Sequence, residues 1–254
     1  MTALETVTQP TVVDVSLDWV TASSVQQRFM QRPHQPCGAL DYGARCRQVL
    51  ELGGDCYDFV PLAHDRLAIT VGDASGKGVS AALMISSVQS SLRTALAFSG
   101  RDLATVLRVV NRQLYASSLA DRYATVFHAD FDAATGTLRY VNAGHNPPTV
   151  IRRDGSVIWL ETGGAPLGMF RDSEYQEGSV QLNPGDLVVA YTDGVIEAAN
   201  RDGDEWGVEG LQRAARENST RCADDIVDAI FTSMDAHSRG LQMDDATVSV
   251  MRVH

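Results

Sequence analysis

The 254-residue chain lacks several features that would each have fixed a function class. Its four cysteines, Cys37, Cys46, Cys56 and Cys222, form no C-x-x-C pair, which excludes a zinc knuckle and a thioredoxin-type redox motif. None is followed by five residues and an arginine, so the loop of the cysteine phosphatases is absent too. Free thiols in a reducing compartment are expected. Positive charge is scarce: 21 Lys and Arg against 32 Asp and Glu give 21 − 32 = −11. That balance excludes a general binder of nucleic-acid backbone, which needs clustered cations. No basic-then-apolar leader opens the sequence, and no apolar run approaches the ~18 residues that span a bilayer. A cytoplasmic protein with no membrane or nucleic-acid partner is expected.

A nucleotide-cradling phosphate loop is also missing, by one residue. The stretch "ITVGDASGKGVSAALMI" has three residues between Gly72 and Gly76 where that loop needs four, and Gly78 follows Lys77 where Ser or Thr would hold magnesium. The loop therefore leaves Asp73 unexplained.

What the chain does hold is enough apolar material, 44%, for a sizeable core. "WVTASSVQQRFMQ" (Trp19 to Gln31) predicts a short helix with Trp19, Ala22, Val25 and Phe29 on one stripe, packed on its own domain and stopped by Pro33 and Pro36. Residues 1 to about 15 show no sustained period. Beyond them "RLAITVGD", "YATVFHADFD", "GTLRYVNAG", "PTVIRRDGSVIWL", "DLVVAYTDG" and "ATVSVMRV" read as strands, with turns at Thr135-Gly136 and Asp154-Gly155. Val79 to Phe98 and Leu103 to Ala116 carry helical spacing. Strands with a few long helices clustered between them indicate an α+β layered fold.

Aspartates recur at the ends of the apolar runs: Asp55 in "GGDCYDF", Asp73 in "VGDASG", Asp193 in "YTDGV", and Asp244 with Asp245 in "MDDATV". An Asp beside Gly is ordinarily a turn residue. Several at strand ends converge when strands pair, and their repulsion is relieved by a cation. Oxygen ligands without a His/Cys set point to magnesium or manganese.

Those segments, with "YVNAGHNPP", "GAPLGM", "WGVEGL" and the closing "DDATVSVMRV", resemble in order and spacing the PPM-type phosphatase domain of the RsbU/SpoIIE family, bacterial relatives of protein phosphatase 2C. The resemblance covers roughly residues 40 to 254. It implies residues 1–40 as an N-terminal tail and linker helix and 41–254 as the phosphatase domain, an α+β PPM-type β-sandwich of two antiparallel sheets flanked by helices. It also implies two or more Mn2+ or Mg2+ ions held by Asp55, Asp73, the Ala74 carbonyl, Asp193 and Asp244, with Asp55 and Asp73 central to catalysis. Asp245 is a further candidate ligand. The implied reaction is attack of a metal-bridging water on phosphoserine or phosphothreonine, and the implied substrate a phosphorylated STAS-domain anti-anti-sigma factor.

Ser75 stands where eukaryotic relatives keep a general-acid histidine. Two further candidates are His145 in "AGHNPP", against a turn histidine fixed by hydrogen bonds, and Lys77, against a solvated lysine. Glu197, four residues after Asp193, is either a partner of the site or a surface carboxylate. Asp58 is expected on the strand face opposite Asp55. "NRDGDEWG" is expected to be a solvated turn. The alternative to an active enzyme is a phosphatase-like domain that only binds proteins. A regulatory partner or a homodimer through the N-terminal helix is compatible with the sequence.

Overall fold

Apolar runs flanked by turn residues pair into two stacked sheets in the computed structural model, which describes residues 15–30, 37–98, 102–119 and 121–254. The expected N-terminal tail and the helix stop at Pro33 and Pro36 lie outside the described residues. In chain order the strands are β1 (Leu40–Arg47), β2 (Asp55–Leu62), β3 (Arg66–Ala74), β4 (Ala124–Asp132), β5 (Thr137–Ala143), β6 (Thr149–Ile151), β7 (Val157–Trp159), β8 (Gly163–Gly164), β9 (Gly178–Gln181), β10 (Leu187–Tyr191) and β11 (Ala246–Val253). The helices are α1 (Val15–Met30), α2 (Val79–Phe98), α3 (Leu103–Ser117), α4 (Asp193–Ile196), α5 (Gly207–Glu217) and α6 (Ala223–Ser238).

One sheet runs β1-β11-β10-β6-β7 and the other β2-β3-β4-β5-β8, with β9 also paired to β5. Every pairing is antiparallel except the two-residue β5–β8 contact. The α+β sandwich is thus the architecture expected. The expected turns at Gly136 and Gly155 are present, each with positive φ, a conformation that glycine adopts without steric cost.

Three apolar layers hold the sandwich. Between the sheets lie Leu67, Ile69, Val71, Phe127 and Ala129 of one against Val188, Ala190 and Met251 of the other. Outside the first sheet, Leu187, Val189 and Val248 pack on Leu211, Ile226, Ile230 and Phe231 of α5 and α6. Strand β10 therefore feeds both layers with alternate side chains, which is why it reads as an unbroken apolar run. Outside the second sheet, α2 and α3 cover Val126, Val141 and Ala143. On α3, Leu103, Val106, Leu107, Val110 and Leu114 form the buried face, and Asp102 caps the helix by accepting the Thr105 N–H at 2.9 Å. Truncating a fully buried side chain such as Phe127 to Ala would cost about 3–5 kcal/mol.

Helix α1 departs from expectation. Trp19 and Val25 are exposed, while Gln26 and Met30 are buried. The helix docks by a face rotated from the predicted stripe because its anchors are polar: Gln26 bonds the Gly53 backbone, and Phe29 offers its carbonyl to Gln89 and Arg93.

Candidate active site

Strand pairing brings the aspartates to one end of the sandwich. Asp55 opens β2 and faces Asp73 near the end of β3, so the two carboxylates are register partners. On the other sheet β10 ends at Tyr191 beside the start of β11, which places Thr192, Asp193, Asp244 and Asp245 at the same end. Ala74, the last residue of β3, bonds its N–H to the Gly54 carbonyl at 3.0 Å, so its backbone abuts the loop that carries Asp55.

The electrostatics are those of crowded carboxylates. Asp55 is buried, and its carboxyl is pushed well above the usual range by burial first and by Asp73 second. Two hydroxyls oppose the shift: Thr192 and Thr247 each donate to Asp55 Oδ2 at 2.7 Å, and Thr192 in turn accepts the Thr247 N–H at 2.9 Å. Asp73 is pushed up to about 7 by burial, then by Asp193, Asp244 and Asp245. Asp193 is raised by burial, with Asp244 adding to the effect. Glu197 is raised by burial and next by Asp193, so it lies within the field of the cluster.

The cation that answers this charge is at the rim. Lys77 Nζ lies 2.8 Å from Asp244 Oδ2 and donates to the Met243 carbonyl at 3.0 Å. Its ammonium is stabilised mainly by the hydrogen bond to Asp244. Among the described residues, no three His, Cys, Asp or Glu side chains close into a ready metal cage. The donor set nonetheless fits a hard divalent ion: it is all oxygen, and the innermost pair, Asp55 and Asp73, has no cationic side chain bonded to it among the described residues.

Asp245 is turned to the backbone. Its Oδ1 accepts the Val49 N–H and its Oδ2 the Gly54 N–H, each at 2.8 Å, which pins the loop leading to Asp55. Gln26 pins the same loop from α1, donating to the Gly53 carbonyl at 2.7 Å and accepting its N–H at 3.2 Å. The glycine pair is required there: a Cβ on Gly53 would fall 2.4 Å from Asp245 Oδ2, and one on Gly54 would fall 2.9 Å from the Ala74 carbonyl.

Ser75 and His145 both serve the surrounding backbone. Ser75 Oγ accepts the Tyr123 N–H at 3.0 Å, and its carbonyl accepts from Arg122. His145 is buried, with Nδ1 3.0 Å from the Thr125 hydroxyl and its own backbone clasped by the Asn142 amide. Burial pushes its imidazole down to about 4, with the Tyr191 backbone acting in the opposite sense, so it is neutral at physiological pH. Asp58 points away from the cluster and pairs with Arg93 of α2. The acidic turn at Asn200 to Asp204 is closed by its own hydrogen bonds, Asn200 Oδ1 accepting the Asp202 and Asp204 N–H groups. Sequence reasoning missed Gln26, Arg122, Thr192 and Thr247. Only Thr192 and Thr247 left a signal, each standing beside or near an aspartate already singled out.

Two stacked sheets between helical layers, with carboxylates gathered at one end, define the class: this is a PPM-type phosphatase fold. The SiaA-PP2C domain of Pseudomonas aeruginosa shares it, with a TM-score of 0.82 and 22% identity, covering 94% of this chain and 97% of that one. The chain belongs to the family of stage II sporulation protein E (SpoIIE), whose model matches residues 63–254. Phosphoserine phosphatase RsbU of Bacillus subtilis is 29% identical over 232 residues, which is 91% of this chain and 68% of that protein. Protein IcfG of Synechocystis sp. is 30% identical over 254 residues, 88% of this chain and 39% of that protein. The chain thus spans 39% and 68% of the length of these two relatives. No helix among the described residues is long and apolar enough to cross a membrane.

Proposed function

We propose that this chain is a metal-dependent protein-serine/threonine phosphatase acting on phosphoserine or phosphothreonine of a signalling protein, with a STAS-domain anti-anti-sigma factor as its substrate. The observation that carries the reading is the facing pair Asp55 and Asp73, each raised by burial first and then by neighbouring carboxylates, Asp73 acting on Asp55 and Asp193, Asp244 and Asp245 on Asp73, with Asp193 and Asp244 at the same sheet end. Membership in a family that includes a named phosphoserine phosphatase supports it.

Asp55, Asp73, the Ala74 carbonyl, Asp193 and Asp244 would hold two or more Mn2+ or Mg2+ ions. The chemistry supplied at such a site is an activated water and neutralisation of phosphoryl charge, so no protein nucleophile is needed. The chain's own residues set the stage. Thr192 and Thr247 fix the Asp55 carboxylate in one orientation, and Asp245 and Gln26 hold the loop that presents it. Lys77 keeps a positive charge at the cleft rim, where it attracts an anionic phosphoryl group. Neither Ser75, whose hydroxyl is bonded to backbone, nor the neutral, buried His145 is disposed to protonate a leaving alkoxide, so that proton comes from water.

The Lys77–Asp244 ion pair favours a second reading, a phosphatase-like domain that binds protein without turnover, because it occupies one of the proposed ligands. Hydrolysis of p-nitrophenyl phosphate separates the two. Catalysis requires turnover stimulated by manganese, sensitive to chelator and lost in Asp73→Asn; no turnover at saturating manganese would leave the binding module.

A further inference from the structure

The acidic end of the sandwich has a counterpart of opposite sign. At the far end of the first sheet, a groove of about 630 Å³ lies between the β6–β7 turn, the entry to β10, the end of α5 and the end of β11. Arg152, Arg153, Arg216 and Arg252 line it, with Asp154, and Asp186 lies beneath, bonded to Arg152. These groups sum to 4 − 2 = +2 in a chain whose formal charge is −11.

Among the described residues, Arg152 alone of the four has a carboxylate partner of its own, Asp186. Arg252 donates to the Ser219 carbonyl at 2.9 Å and to His254 Nδ1 at 3.1 Å, and Arg216 reaches the Gln212 amide oxygen at 3.3 Å. The Arg153 stem lies against the Gly185 turn. Among the described residues none of these three is paired with an acid.

We infer that this groove docks an acidic, extended segment of a protein partner. Guanidinium groups without acid partners make bidentate bonds to carboxylates, and the aliphatic floor of Ile151, Leu187 and Val253 accepts the methylene stems of Asp and Glu. The volume is far larger than one inorganic phosphate needs. Nucleic acid fits less well: among the described residues no Phe, Tyr or Trp lines the groove to stack a base, the one ring there, His254, is held by Arg252, and the surrounding chain repels a long polyanion. Strand β11 is eight residues long, so at about 3.3 Å per residue the groove lies roughly 25 Å from Asp244 and Asp245. Docking here and hydrolysis there are therefore separable.

The test is fluorescence anisotropy of a fluorescein-labelled peptide of alternating Asp and Glu, titrated with the full chain at low salt. Wild type should bind, and the affinity should fall as salt rises. The Arg153→Glu/Arg216→Glu variant should bind about tenfold or more weakly, with p-nitrophenyl phosphate turnover and melting temperature unchanged. Because both arginines are exposed, the fold should tolerate the change; Arg153→Gln/Arg216→Gln, which keeps polarity and removes charge, should fall between. Equal affinity in wild type and variant, or no binding by wild type, overturns the inference. So does tighter binding of a single-stranded oligonucleotide of equal charge that the same variant abolishes.

Discussion

Replacing Asp73 by Asn should stabilise the metal-free protein at alkaline pH. The Asp73 carboxyl is pushed up to about 7 by burial and by Asp193, Asp244 and Asp245, against about 3.9 in an unfolded chain. A difference of about three units corresponds to about 4 kcal/mol at most. Because the folded value is the raised one, the native state holds this proton more tightly than the unfolded state. Its contribution is whole below about pH 4 and is lost as pH rises through about 7, beyond which the ionised carboxylate is a fixed penalty. Asn carries no charge at any pH and escapes the penalty. Solvent at the cleft mouth screens part of the repulsion, so about 2 kcal/mol is expected near pH 8, or roughly 4–8 °C in melting temperature. The assay is thermal unfolding followed by circular dichroism in excess chelator, near pH 8 and again near pH 4. The variant should melt higher at the first pH and level with wild type at the second. A variant no more stable than wild type near pH 8, or equally stabilised at both pH values, would refute the claim that these carboxylates repel one another.

Asp245→Ala removes the acceptor of the Val49 and Gly54 N–H groups and should cost about 3 kcal/mol in urea unfolding, with Asp245→Asn, which keeps one acceptor, costing less. Gly53→Ala forces a methyl against Asp245 and Gln48 and should cost about 1–3 kcal/mol by the same assay. His128, buried against Thr70 and pushed down to about 4 by burial, must charge on unfolding in acid. It therefore destabilises the fold increasingly as pH falls from about 6.5 to about 4, by about 3 kcal/mol at most. His128→Gln should flatten that limb of a pH–stability curve.

How much was legible in the sequence depended on whether each role left a local pattern. Strands β3 to β7, β10 and β11 were readable because apolar alternation and Gly turns are local signals, and α2 and α3 because their buried faces repeat every three or four residues. Strands β1 and β2 were not, since "LDYGARCR" and "DCYDFVPL" mix polar residues facing helix, cleft and solvent. Helix α6 has the spacing, Ile226, Val227, Ile230, Phe231 and Met234, but was not singled out. The aspartates could be collected because each borders an apolar run, Asp73 and Asp193 at its end and Asp55, Asp244 and Asp245 before its start. The threonines that fix Asp55, and the Gln26 and Asp245 bonds to the glycine loop, join positions 27 to 192 residues apart. No single-chain pattern encodes such a meeting; only strand register does.

Phosphomonoester hydrolysis at the Asp55–Asp73 end of the sandwich is read out by phosphate release from a phosphoserine peptide. The chain stripped with chelator should release none, manganese should restore release, and Asp55→Asn and Asp73→Asn should each lower the restored rate by about a thousandfold while remaining folded. Undiminished release in chelator, or full activity in both variants, would contradict the account.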